Sequence, residues 1–211
     1  MIFKFFKSQY ERIFPCCIFD PLLNPFLKGI RYKILDIVRE YQPGSIPDIC
    51  CGTGYQVKLL QKHGFNVTGI DISDQMLAFS RSGRPITNCL KQDATSLDFP
   101  DASFDLVIIT LGLHEKNLSD SHRILLEMER TVRSGGHIII ADYSLNAKTS
   151  SLSKYLIHFI ESLARGDHYK NFREYLVSGG LTRLVSDFSF TRINDYFFFG
   201  RGIILSLFRK Q

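Results

Sequence analysis

Apolar residues fall into two rhythms along this chain. Short apolar runs recur at 45–50, 66–70, 86–90, 106–110 and 137–141. Between them, apolar residues return every three or four positions. Ile30, Ile34, Ile37, Val38 and Tyr41 do so within 27–41; Val57, Leu59 and Leu60 within 55–63; and Ile124, Leu125, Met128 and Val132 within 119–132. The first rhythm predicts buried strands and the second predicts helices with one apolar face. Ser73 and Ser119 stand as N-caps for helices to about Arg81 and Val132. Gln42-Pro43-Gly44 and Gly135-Gly136 end the helices before them. Strand and helix alternate, which argues for a mostly parallel sheet with helices on both faces. Beyond 142 the alternation stops. Leu152, Tyr155, Leu156, Phe159 and Ile160 have helical spacing, and a further helical pattern runs to Ser178. The stretches 186–192 and 196–208 read as a closing antiparallel pair, with Gly200-Arg201-Gly202 as a bulge or bend in the second. The expected fold is α/β: three layers, doubly wound, seven strands, mostly parallel with the last strand antiparallel.

At 211 residues the chain fits one domain. Its expected parts are an aromatic N-terminal cap and helix (1–43), a core (44–142), a helical insertion (143–182) and closing strands (183–211). The cap holds Phe3, Phe5, Phe6, Tyr10, Phe14, Phe19 and Phe26, interrupted by Pro15, Pro21 and Pro25. So many rings argue for packing on the domain or covering its site, and peripheral contact with a membrane surface stays open. No run approaches the roughly 18 apolar residues of a transmembrane helix, and Lys4 and Lys7 interrupt the first apolar run, unlike a signal peptide. The net charge of +5 is spread without dense Lys/Arg clusters, so nucleic acid is not an expected partner. The five cysteines are odd in number and lack a C-x-x-C pair. Zinc spacing is therefore not met, no metal is expected, and a reducing, cytoplasmic compartment fits best.

The chemistry concentrates at Asp48-Ile49-Cys50-Cys51-Gly52-Thr53-Gly54, between the first short strand and a helix. Strand, glycine turn and helix make a nucleotide-binding arrangement: backbone can approach a ligand, and free N–H groups of the helix point at it. Asp71 ends the second strand, 17 residues past Gly54, where a carboxylate can accept both hydroxyls of a ribose. The turn lacks the G-x-G-x-x-G spacing of dinucleotide enzymes. With an acid before it, it resembles the first motif of the class I S-adenosylmethionine-dependent methyltransferases, matched here by Asp48, Gly52, Thr53 and Gly54. Cys50 stands where that family usually has a glycine, and Pro47 sits in a strand that should be central.

Later stretches extend the resemblance, which covers about 44–142. Gln92-Asp93-Ala94 is similar to the family's adenine motif, Phe99–Asp105 to its lead into the fourth strand, and Val132-Arg133-Ser134-Gly135-Gly136 to its lead into the fifth. The resemblance implies a Rossmann-like fold and S-adenosylmethionine as cofactor. It implies cofactor contacts at Asp48, Cys50, Gly52, Thr53, Gly54, Asp71, Ile72, Met76, Asp93, Ala94 and Thr110. His114, in a loop that often carries Leu-His-His in relatives, and Tyr143 are the candidates for acid–base work. Insertions such as 150–182 usually build the acceptor pocket in the family, which makes His168, Tyr169 and Phe172 candidate substrate residues. The likeness is greatest to the small-molecule and quinone-like branch, so a small, partly hydrophobic acceptor is expected. A methyltransferase of RNA or protein, and a non-catalytic module that binds the cofactor, remain alternatives.

Overall fold

The computed structural model describes residues 16–82, 87–164 and 167–211. The rings of Phe3, Phe5, Phe6, Tyr10 and Phe14, and the side chains of Cys16, Cys17 and Phe19, lie outside what it describes. Helix α1 (Cys16–Tyr41) leads into β1 (Ile46–Ile49), α2 (Tyr55–Lys62), β2 (Val67–Asp71), α3 (Asp74–Ser82), β3 (Cys89–Lys91) and β4 (Phe104–Thr110). Then come α4 (Leu118–Thr131), β5 (Val132–Tyr143), α5 (Ser151–Leu163), α6 (Asp167–Val177), α7 (Gly180–Leu184), β6 (Phe190–Phe198) and β7 (Ile203–Lys210). The seven strands form one sheet in the order β3-β2-β1-β4-β5-β7-β6. Strands β1 to β5 are parallel, and β7 runs antiparallel to both β5 and β6. This is the expected α/β fold, with β7 as its antiparallel strand.

Strand order reverses between β1 and β4, and a ligand crevice opens outside the carboxyl ends of strands at such a switch point. Both strands are centrally buried: Ile46 and Ile49 in β1, and Leu106, Val107, Ile108 and Ile109 in β4, belong to the core. Burial on both faces explains why they read as unbroken apolar runs. Pro47 is accommodated by register. The Ile46 N–H bonds to Asn66 O on the β2 side, so the Pro47 nitrogen turns toward β4, where pairing starts only at Asp48.

Several expected boundaries move. Helix α1 begins at Cys16 and continues through Pro21 and Pro25. The apolar face from Ile30 to Val38 anchors the helix in the core. The cap of α4 is Asn117, whose side chain accepts from Asp120 N at 2.9 Å; Ser119 lies inside the first turn. Strand β5 starts directly at Val132, with Gly135 at φ +72° inside it. A Cβ on Gly136 would lie 2.9 Å from Asp105 O, so the glycine permits close approach to β4. The third strand is shorter than expected, Cys89–Lys91. The closing pair is displaced along the chain: β6 runs on to Phe198 and β7 begins only at Ile203, so Gly200-Arg201-Gly202 lies in their hairpin turn, and the register shift falls between Arg192 and Asn194 instead.

Candidate functional site

The crevice is built from the ends of β1, β2, β4 and β5. The turn after β1 is tied to its neighbour: Cys51 N donates to Ile70 O at 3.0 Å, and Gly52 N donates to Asp71 Oδ2 at 2.8 Å. Asp71 Oδ1 accepts from Ser73 N at 2.9 Å, so this carboxylate fixes both the glycine turn and the start of α3. Met76 N donates to Ser73 Oγ at 3.3 Å, and Ile72 lies largely exposed beside Asp71. Asp93 Oδ1 accepts from Thr95 N and Thr95 Oγ1 at 2.9 and 2.8 Å, forming a tight turn that includes Ala94.

Three features suit this crevice to a nucleoside-bearing ligand. Gly52, at φ +55°, has open space where a Cβ would stand. Thr110 Oγ1, at the tip of β4, is buried without a hydrogen-bond partner among the described residues. Gln56, in the first turn of α2, is 6 % exposed, and neither amide atom has a partner among the described residues. Buried polar groups are nearly always paired, and both residues belong to elements that meet at the crevice. Sequence reading missed Gln56; its only signal was a polar residue on a helix start otherwise rich in apolar positions. Asp48 is buried in β1, and its carboxyl is pushed up to about 8, chiefly by burial and further by the nearby Cys89. Cys50 takes a left-handed φ of +57°, and burial raises its thiol to about 12. The Cys51 and Cys89 sulfurs lie 3.9 Å apart, and the shared hydrogen bond raises Cys51 and lowers Cys89.

On the β5 side a second group of polar residues is buried. Asp142 Oδ2 accepts from Leu113 N and His114 N at 3.0 and 3.3 Å, and Oδ1 lies 2.7 Å from His114 Nδ1. Glu161 of α5 accepts from the Tyr143 hydroxyl at 2.7 Å and pairs with His168 Nε2 at 2.6 Å. Burial alone would lower His114, but Asp142 and Glu161 outweigh it and hold the imidazole at about 9. Burial, then Glu161, keeps Tyr143 well above the ordinary tyrosine range.

Phe172 is fully buried, with its ring centroid 5.5 Å from Tyr143 and 6.1 Å from His114, and Tyr169 stacks on it at 6.0 Å. Beside Tyr143 lies an apolar cavity of about 30 Å³, closed by Phe26 and Leu27 of α1, Leu111, Ile157 and Ile160 of α5, and Phe199 and Ile203 at the closing hairpin. His168, Tyr169 and Phe172 do not line it. The insertion does reach the cavity, but through α5 rather than α6.

Residues 47–140 match the family described as a methyltransferase domain. Over that stretch, a little under half of its length, the chain is similar to methyltransferases. It is 32% identical over 114 residues to a demethylmenaquinone methyltransferase of Renibacterium salmoninarum, covering 54% of this chain and 47% of that one. The same named enzyme of Beutenbergia cavernae is 38% identical over 114 residues, with the same coverage. The chain thus spans about half the length of these curated relatives. Among solved structures, a S-adenosylmethionine-dependent methyltransferase of Archaeoglobus fulgidus superposes with a TM-score of 0.65 at 16% identity, over 91% of this chain and 99% of that one. That likeness concerns the fold. No helix among the described residues of this chain is long and apolar enough to cross a membrane.

Proposed function

We propose that this methyltransferase moves a methyl group from S-adenosylmethionine to a small, partly hydrophobic acceptor, of the quinone type that its relatives' names suggest. The observation that carries the reading is the glycine turn bound to Asp71 through the Gly52 N–H, with open space over Gly52. Asp71, with Ile72 and Met76, would hold the ribose side of the cofactor, and Asp93 and Ala94 the adenine. Asp48, Cys50, Gly52, Thr53 and Gly54 would border its methionine end, where Thr110 and Gln56 offer polar atoms that are unpaired among the described residues. When bound, the cofactor supplies a methyl already activated on a sulfonium. The chain's own task is then alignment and exclusion of water, which can account for about 7–11 kcal/mol of a barrier.

His114 and Tyr143 are engaged by carboxylates, and in this reading they shape the acceptor side rather than take up its proton. The apolar cavity beside Tyr143 marks where the acceptor enters. At about the volume of one water it must widen, and the α1–α5–hairpin roof is the part that would move. The free thiols of Cys50, Cys51 and Cys89 suit a reducing, cytoplasmic setting.

Calorimetry should show S-adenosylmethionine binding and no binding of nicotinamide dinucleotides. Asp71→Ala should weaken binding by about 1.5–3 kcal/mol for each charge-assisted hydrogen bond lost. Unchanged affinity in a folded Asp71→Ala protein overturns the assignment. Labelled cofactor incubated with cell extract should deliver its label to organic-extractable small molecules. Label in nucleic acid or protein, or in nothing, selects the other readings.

A further inference from the structure

We propose that His114, Glu115 and His168 form a binding site for one divalent first-row transition-metal ion, beside the apolar cavity. One donor atom from each of the three lies within 4.8 Å of the others. Three donors around a single ion at about 2.0–2.2 Å stand about 3.3–3.8 Å from one another, so the cluster has to contract by about 1 Å to close on an ion.

The first ligand is already oriented. Asp142 Oδ1 sits 2.7 Å from His114 Nδ1 and accepts the proton there, so an ion would displace only the proton on Nε2. A carboxylate behind an imidazole is the usual support of a metal-bound histidine. Asp142 is itself fixed by the backbone N–H groups of Leu113, His114 and Tyr143. His114 Nε2 lies 3.7 Å from Glu161 Oε2, too far for a hydrogen bond, and His168 Nε2 is 2.6 Å from the same oxygen. The Glu161 carboxylate thus stands between the two rings and keeps them facing each other.

The two halves of the site are also held together without an ion. Asn171 Nδ2 of α6 donates to Glu115 O at 2.8 Å, joining the helix that carries His168 to the loop that carries His114 and Glu115. His114 is buried, whereas Glu115 and His168 are partly exposed and give a route in. Lys116 pairs with Glu115 at 3.5 Å, and an ion would take its place on that carboxylate. Two imidazoles with carboxylate oxygen suit zinc, iron(II) or cobalt(II); magnesium and calcium favour all-oxygen shells.

Occupancy of the site by a metal ion does not depend on methyl transfer. Protein stripped with chelator and dialysed would be titrated with Zn2+ by calorimetry and with Co2+ by absorption. The expected result is one equivalent bound, with cobalt bands of nitrogen and oxygen ligation and no sulfur-to-cobalt charge-transfer band. His168→Gln and Glu115→Gln should each weaken binding by about tenfold or more. Each variant is checked by circular dichroism and by its affinity for S-adenosylmethionine, which should not change. Zn2+ affinity weaker than millimolar, affinity unchanged from the unsubstituted protein in both variants, or a thiolate signature pointing to Cys51 and Cys89 overturns the site. Loss of cofactor binding by the unsubstituted protein would instead count against the methyltransferase reading and leave the metal result standing.

Discussion

At the scale of single residues, Cys50 shows how a departure from a family motif is absorbed. It stands where a glycine is usual and adopts φ +57°, a region that strains an L side chain by about 1–3 kcal/mol. The room for its Cβ comes from across the crevice: a Cβ on Gly112 would lie 3.0 Å from Cys50 Cβ and 3.1 Å from Ile109. Cys50→Gly is expected to stabilise the protein by about 1 kcal/mol. Gly112→Ala should destabilise it, and less so in the Cys50→Gly background, with a coupling of about 0.5–1 kcal/mol in a double-mutant cycle. Strict additivity of the denaturation free energies would refute the compensation.

Asp48 carries a second expectation at this scale. Its folded carboxyl titrates at about 8, far above the roughly 3.9 of an unfolded chain. Between these values the folded protein holds a proton that the unfolded chain has released, so this residue makes stability fall as pH rises. Asp48→Asn should therefore raise the melting temperature of the ligand-free protein at pH 8. A bound cationic cofactor favours the ionised form, so binding below about pH 8 should release a proton. Affinity should climb by up to about tenfold per pH unit until that point. Calorimetry in buffers of different ionisation enthalpy reads the proton directly, and a pH-independent affinity would remove Asp48 from the cofactor's surroundings.

At the scale of elements, much of the fold was legible because periodicity reports burial. The runs that became β1, β4 and β5 are apolar on both faces, and Ile30, Ile34, Ile37 and Val38 mark the inward side of α1. The glycine turn was legible because its residues adjoin in sequence. What escaped depended on neighbours distant in sequence. The start of β5 at Val132 is set by pairing with Phe104, which no local propensity records. Likewise, His114, Glu161 and His168 meet only because α5 and α6 fold back over the ends of β4 and β5. The spacing of Tyr169 and Phe172 correctly gave a shared helical face, yet could not say that Phe172 would be fully buried while α5 lined the cavity.

At the scale of the whole molecule, the sheet separates function from support by its two edges. The glycine turn, Asp71, Thr110 and the His114 cluster all lie at the carboxyl ends of strands. At the opposite end of β4, Asp105 Oδ2 accepts from Gly44 N and Ser45 N at 2.8 and 3.1 Å, and Oδ1 pairs with Arg133 Nε at 2.7 Å. One carboxylate thereby fastens the entries to β1, β4 and β5. The Arg133 contact, aided by the two backbone donors, holds its carboxyl below the ordinary aspartate range. A depressed carboxyl stabilises the fold above the unfolded value of about 3.9 and loses that contribution as pH falls through the folded one. Asp105→Asn should thus lower stability by about 1–2 kcal/mol at pH 7, and the gap to the unsubstituted protein should close as pH falls below about 4. Affinity for S-adenosylmethionine should stay within about twofold, because no residue of the crevice contacts Asp105 among the bonds described. Chemical denaturation across pH, run beside cofactor titrations at pH 7, separates the outcomes. A loss of affinity that tracks the loss of stability would mean that the two edges act as one unit, and that the supporting edge also sets the geometry of the site.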